Sequence, residues 1–196
     1  MDQLVEIKSK IQINPSRVGK KYFVKTFGCQ MNEHDSERIS GMFELDGMSK
    51  AISEEYADVL FVNTCTIREN ADDKLYGTLG QLKQWKSQKD NRKLLVGGCA
   101  AQKDKELVRE KAPWVDVVIG THNLTNVVDL LNRSEDWGPL TEIIDEIETL
   151  PTEAPSIRES EYSAWLTIQI GCNNSCTFCI VPSVRGQEIS RRPSDI

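Results

Sequence analysis

Four short apolar runs constrain the fold of this chain more than anything else in it, and three of them lead into a cysteine. Tyr22-Phe23-Val24-Lys25-Thr26-Phe27 runs into Gly28-Cys29, and Ala57-Asp58-Val59-Leu60-Phe61-Val62 runs into Asn63-Thr64-Cys65. Lys93-Leu94-Leu95-Val96 runs into Gly97-Gly98-Cys99, and Val115-Asp116-Val117-Val118-Ile119 into Gly120-Thr121. Runs with so little polar alternation read as strands covered on both faces. Between them apolar residues recur at helical spacing. Asn32 or Asp35 caps a helix carrying Ile39, Met42 and Phe43, which ends at Gly47. Ala71, Leu75, Leu79 and Leu82 share one helix face, 104–112 forms a helix stopped by Pro113, and Leu124, Val127, Val128 and Leu131 line a closing helix. A weak strand is expected near 48–52. Strand and helix alternate at about 35-residue spacing, the length of one βαβ unit. The expected fold class is therefore α/β, an open parallel sheet with flanking helices.

The chain has 196 residues and a net charge of −6, enough for one domain and part of a second. Its longest apolar runs are far too short to span a bilayer, and Met1-Asp2-Gln3-Leu4-Val5-Glu6 lacks the apolar core of a secretory signal, so a cytoplasmic chain is expected. The acidic total argues at first against a phosphate-binding surface. However, residues 135–161 hold nine acids against one base, Arg158, so the rest of the chain sums to +2. That stretch also carries Pro139, Pro151 and Pro155 and reads as a solvated linker, with Ile143, Ile144 and Ile147 able to form a short amphipathic turn. Residues 1–20, with Pro15, read as a mobile arm. After the linker, Ala164-Trp165-Leu166-Thr167-Ile168-Gln169-Ile170 reads as a strand.

Six cysteines remain, and cytosolic thiols stay reduced, so spacing must assign them. In an open parallel sheet all strand C-terminal ends share one edge, where ligands bind. Cys29, Cys65 and Cys99 each follow such an end, beside the small residues Gly28, Thr64 and Gly98, and near helix N-termini that favour thiolates. They form either one shared site or three separate buried cysteines. His34 and His122 read as local hydrogen-bonding residues. Cys172-Asn173-Asn174-Ser175-Cys176-Thr177-Phe178-Cys179 can wrap one small metal centre, with no fourth cysteine or histidine nearby. Structural zinc prefers four protein ligands, whereas three thiolates on a four-iron cluster leave one iron open. The spacing leaves a cluster, a zinc site or an ordinary loop open; Phe178 could pack beside a bound purine or simply be buried.

The same residues resemble a known family. Cys172 to Cys179, with Pro182 and Arg185-Gly186, is similar to the CxxxCxxC signature of radical S-adenosylmethionine enzymes. Gly28-Cys29-Gln30-Met31-Asn32, the run Asn63 to Ala71, and Gly97-Gly98-Cys99 resemble the N-terminal domain of the methylthiotransferases, in wording nearest their tRNA-modifying group. The resemblance implies two 4Fe-4S clusters: an auxiliary one on Cys29, Cys65 and Cys99 that presents sulfur, and one on Cys172, Cys176 and Cys179. The open iron of the latter would chelate S-adenosyl-L-methionine, with Phe178 as an adenine contact. The implied reaction begins with a 5′-deoxyadenosyl radical removing hydrogen from C2 of N6-isopentenyladenosine beside the tRNA anticodon, and ends in the 2-methylthio derivative. Implied partners are that tRNA and an electron donor of flavodoxin or ferredoxin type, for a monomeric, non-membrane enzyme. Other substrates within the family are a different tRNA adenosine or a ribosomal protein; outside it stands a non-catalytic iron–sulfur or zinc module.

The implied organisation is an arm (1–20), a Rossmann-like methylthiotransferase N-terminal domain (21–134), an acidic linker (135–163), and the first strand and cluster loop of a truncated radical βα barrel (164–196). Such a barrel needs on the order of 200 further residues. The chain is therefore expected to be a fragment, inactive alone.

Overall fold

A computed structural model describes residues 13–67, 70–146, 155–158 and 160–196. Six parallel strands form the main sheet: β1 (Lys21–Thr26), β2 (Ser49–Lys50), β3 (Val59–Thr64), β4 (Lys93–Gly98), β5 (Val117–Ile119) and β6 (Leu140–Glu142), in the order β2-β1-β3-β4-β5-β6. Helices α1 (Gln30–Leu45), α2 (Ala71–Ser87), α3 (Cys99–Asp104), α4 (Leu107–Lys111) and α5 (Val127–Trp137) connect them. The chain moves outward from β1 to β2 and then returns to the other side of β1 to lay down β3. The direction of winding therefore reverses between β1 and β3, which is where open α/β sheets place ligands.

Every residue of β3 is buried, because both faces are covered. Its alternating side chains separate two cores. Leu60 and Val62 pack with Leu75, Leu79, Leu82 and Trp85 of α2; Val59 and Phe61 pack with Ile39, Met42 and Phe43 of α1 and with the buried face of α5. The expected strands and the α1, α2 and α5 faces are thus present as read, and the weak strand is β2.

Four local readings are corrected. The helix expected over 104–112 is two helices: Gly98, at φ 92, turns the chain so sharply that α3 starts at Cys99, and Lys105, at φ 51, breaks the run before α4. Neither break carries an ordinary capping residue, so the pattern hid them. The segment read as an acidic linker begins inside α5 and supplies the sheet's sixth strand. There Arg133 Nη1 donates to Glu142 Oε2 at 2.6 Å, and Asn123 Nδ2 donates to the Glu142 carbonyl at 3.0 Å. The second half of the expected arm is tied down. Arg17, fully buried, donates from Nη1 to Glu135 Oε1 at 2.6 Å and from Nη2 to Asn132 Oδ1 at 2.9 Å. Finally, of the strand expected over 164–170 only β7 (Gln169–Ile170) pairs, antiparallel to β8 (Ile189–Ser190), so the start of a barrel is not shown. Residues 1–12 of the arm, Arg68 and Glu69, and Ile147 of the amphipathic turn lie outside the described residues.

Candidate functional site

The C-terminal ends of β1, β3 and β4 are adjacent, with Thr26 opposite Asn63 and Thr64 opposite Gly98. This brings the three cysteine-bearing turns to one edge. Cys29, and not the expected Asn32 or Asp35, which lie inside the helix, caps the N-terminus of α1; Cys65 follows β3 directly, and Cys99 opens α3. All three are free thiols; Cys65 and Cys99 are buried and Cys29 is half-buried. The glycines are there for space. A Cβ at Gly28 would collide with Asn32 Oδ1 and sit 3.0 Å from Cys65 Cβ; one at Gly98 would strike Asn63 Oδ1 and the Thr64 backbone.

Two buried asparagines lock these turns together. Asn32 Nδ2 donates to Asn63 Oδ1 (2.9 Å) and to the Thr64 carbonyl (3.0 Å), while Asn63 Nδ2 donates to the Asn32 carbonyl (2.8 Å) and Ser36 Oγ (2.9 Å). Thr64 Oγ1 donates to the Gly97 carbonyl at 2.6 Å, joining β3 to β4. The sequence signal for this lock was a lone asparagine at the end of an otherwise apolar strand. A cleft of about 290 Å³ opens beside Gly28 and Cys65, with Glu33 and Lys74 on its walls.

A residue from the far end of the chain completes the edge. Helix α6 (Val181–Arg185) seats Arg185 in the interior, where Nη1 donates to Asp35 Oδ2 at 2.7 Å and Nε to Cys99 Sγ at 3.3 Å. Burial pushes the Cys99 thiol up, and the Arg185 guanidinium pulls it in the other direction. His122 makes a local contact, its Nδ1 lying 3.0 Å from the Ile144 carbonyl. At His34, burial and then the neighbouring Arg38 lower the imidazole's proton affinity.

The second cysteine group lies on the loop between β7 and α6. Gly171, at φ 70, opens it; the Cys172 N–H donates to the Gly186 carbonyl at 3.1 Å and the Cys179 N–H to the Cys176 carbonyl at 3.2 Å. Cys176 and Cys179 are exposed, and Phe178 is 96 % exposed rather than buried. Among the described residues no group of three or more His, Cys, Asp or Glu side chains is gathered closely enough to hold a metal ion. The turns that carry Cys29, Cys65 and Cys99 share one sheet edge, and Cys172, Cys176 and Cys179 share one loop.

The residues nevertheless fit an iron–sulfur centre at the sheet edge. Its donors are thiols alone, which such clusters use. Arg185 Nη2 is buried without a hydrogen-bond acceptor, on the guanidinium that already reaches Cys99. An inorganic sulfide or a coordinated thiolate would supply one.

A family model described as uncharacterized protein family UPF0004 matches residues 21–120, the sheet from β1 through β5. The chain is 57 % identical over 176 residues to a protein of Tropheryma whipplei, 52 % over 179 residues to one of Corynebacterium diphtheriae, and 50 % over 185 residues to one of Mycolicibacterium smegmatis. Each of these is called tRNA-2-methylthio-N(6)-dimethylallyladenosine synthase. The matches cover 89 %, 91 % and 94 % of this chain but only 37 %, 35 % and 36 % of the relatives, so the chain spans about a third of their length.

Proposed function

We propose that this chain, which belongs to uncharacterized protein family UPF0004, acts as part of a tRNA methylthiotransferase that converts N6-isopentenyladenosine to its 2-methylthio derivative. The observation that carries the reading is 50–57 % identity, over about nine-tenths of the chain, to enzymes whose name states that product. In this reading Cys29, Cys65 and Cys99 hold an auxiliary 4Fe-4S cluster. Cys172, Cys176 and Cys179 hold a second, which keeps one iron open for S-adenosyl-L-methionine. The chemistry supplied by those groups when bound is radical hydrogen abstraction, sulfur insertion and methyl transfer.

The chain's own residues position and shield. Gly28 and Gly98 let backbone approach where a side chain would not fit. The Asn32–Asn63 pair fixes the turns that carry Cys29 and Cys65. Burial of Cys65 and Cys99 keeps water from their sulfurs, and Arg185 offers a charge-assisted donor to the thiolate. Phe178, exposed at the tip of its loop, is available to stack on the cofactor's adenine. The domain organisation follows the same reading: a sheet domain holding the auxiliary centre, then a connecting acidic segment, then the second cysteine loop. The partners are tRNA and a flavodoxin- or ferredoxin-type donor, and the setting is a cytoplasmic monomer. Among the described residues no helix is long and apolar enough to cross a membrane.

The test is iron and acid-labile sulfide per chain after anaerobic reconstitution of the intact protein, Cys65→Ala and Cys176→Ala. Each variant should lose a different centre, with about half of the iron remaining. Stoichiometric zinc, or the same residual centre in both, overturns the two-site reading. Mass spectrometry of tRNA nucleosides from a deletion strain tests the substrate. Loss of methylthio-isopentenyladenosine, restored by the full-length gene, supports it; an unchanged level refutes it.

A further inference from the structure

The two cysteine groups are far apart in sequence, yet a single turn touches both. Thr121 Oγ1 donates to the Val184 carbonyl at 2.6 Å, Arg185 binds Asp35 and Cys99, and the Gly186 carbonyl accepts from the Cys172 N–H at 3.1 Å. Three consecutive residues thus meet the sheet domain, a thiol of the first group and the backbone of the second. Arg185 and Gly186 thus link Cys99 to Cys172 through two adjacent residues.

We propose that the Arg185–Asp35 ion pair is a positioning latch, which seats this turn against Cys99 so that the two cysteine groups keep a fixed register. The inference rests on the proposed function for its purpose, but its geometry does not depend on iron. Arg185 and Asp35 are each 6 % exposed. A buried ion pair is a poor device for stability, since an apolar pair of similar volume commonly does as well. What the pair supplies is orientation: the planar guanidinium fork engages a carboxylate and a sulfur at once, which lysine's single ammonium does not match. Because 150 residues separate Asp35 from Arg185, connectivity alone does little to hold them together.

The test is the iodoacetamide alkylation rate of Cys99 in the metal-free intact chain, read by peptide mass spectrometry with buried Cys65 as internal reference. Arg185→Met keeps the bulk and removes the charge; Asp35→Asn removes the partner. With each rate divided by the thiolate fraction found from its own pH dependence, both should alkylate Cys99 at least about tenfold faster, with Cys65 unchanged, because breaking a buried pair strands the remaining charge and opens the turn locally. The double variant should be no more than about twofold faster than either single, as expected of one shared interaction. Arg185→Lys should fall between wild type and Arg185→Met. A role in packing alone predicts that Arg185→Met behaves as wild type, and that result overturns the latch, as does a multiplicative double variant. If Cys65 and Cys99 rise together, the chain has unfolded, and Thr121→Val decides instead. Removing that outer tie should speed Cys99 alone about threefold, and no change would refute the proposal. Iron content is measured separately, so loss of the proposed function would leave the labelling result standing.

Discussion

Gly98 turns the backbone at φ 92 with no room for a Cβ beside Asn63 and Thr64. Gly98→Ala should therefore lower the unfolding free energy in urea by about 2 kcal/mol or more, combining left-handed strain with a collision against backbone. Asp46 carries a pH signal. Its carboxylate is buried 3.3 Å from Arg17 Nε, but neither oxygen accepts a hydrogen bond among the described residues, and burial pushes its pKa up to about 6. The folded chain then keeps a proton between about pH 4 and 6 that the unfolded chain releases. The stability it contributes is present below about pH 4 and is lost as pH rises through 6. The stability of wild type relative to Asp46→Asn should thus fall by about 2–3 kcal/mol between pH 4 and 6.5 in chemical denaturation. Neither Asp46 nor Arg17 stood out in the sequence, because a charged residue looks the same there whether solvated or enclosed.

At the scale of elements, three helical glycines make a controlled comparison. Gly77 and Gly80 of α2 face open space. Gly77→Ala and Gly80→Ala should each stabilise the chain by about 0.5–1 kcal/mol in urea titrations, since alanine loses less backbone entropy. Gly41 of α1 does not face open space: the Pro155 backbone lies against it, and the Ile157 N–H donates to the Glu37 carbonyl at 3.0 Å. Gly41→Ala should forfeit that gain and speed hydrogen exchange at the Ile157 amide, while core amides of β3 keep their protection. The docking of 155–157 was illegible in a segment whose acids and prolines read as solvated linker. Strand β6 was hidden for a related reason. Three residues are too few for periodicity to speak, and their placement rests on the Val117–Ile119 edge and on Arg133. Although burial works the other way, Arg133 and Asn123 hold the Glu142 carboxyl below the ordinary carboxylate range.

For the whole molecule, the sixth strand moves the edge of the sheet domain. A chain ending at 138, just past α5, lacks β6 beside β5, while one ending at 146 keeps it. The shorter form should melt about 5 °C lower by calorimetry, and equal melting temperatures would remove β6 from the stable sheet. The charge distribution also changes meaning at this scale. The acidic surplus over 135–161 is partly consumed within the fold, where Glu135 pairs with Arg17 and Asp145 with Lys105.

The parallel sheet and the common edge for Cys29, Cys65 and Cys99 are written into the residue pattern, because strands covered on both faces must be apolar and parallel strands must end on one side. That pattern also marks the second cysteine group, whose ligand spacing is local. The meeting of Arg185 with Cys99 and Asp35, at separations of 86 and 150 residues, and the lock that Asn32 and Asn63 place on their turns arise in the folded chain alone. Local propensity carries no information at such distances. Those contacts exist because packing of the two cores places the turns side by side, and buried polar groups then need partners.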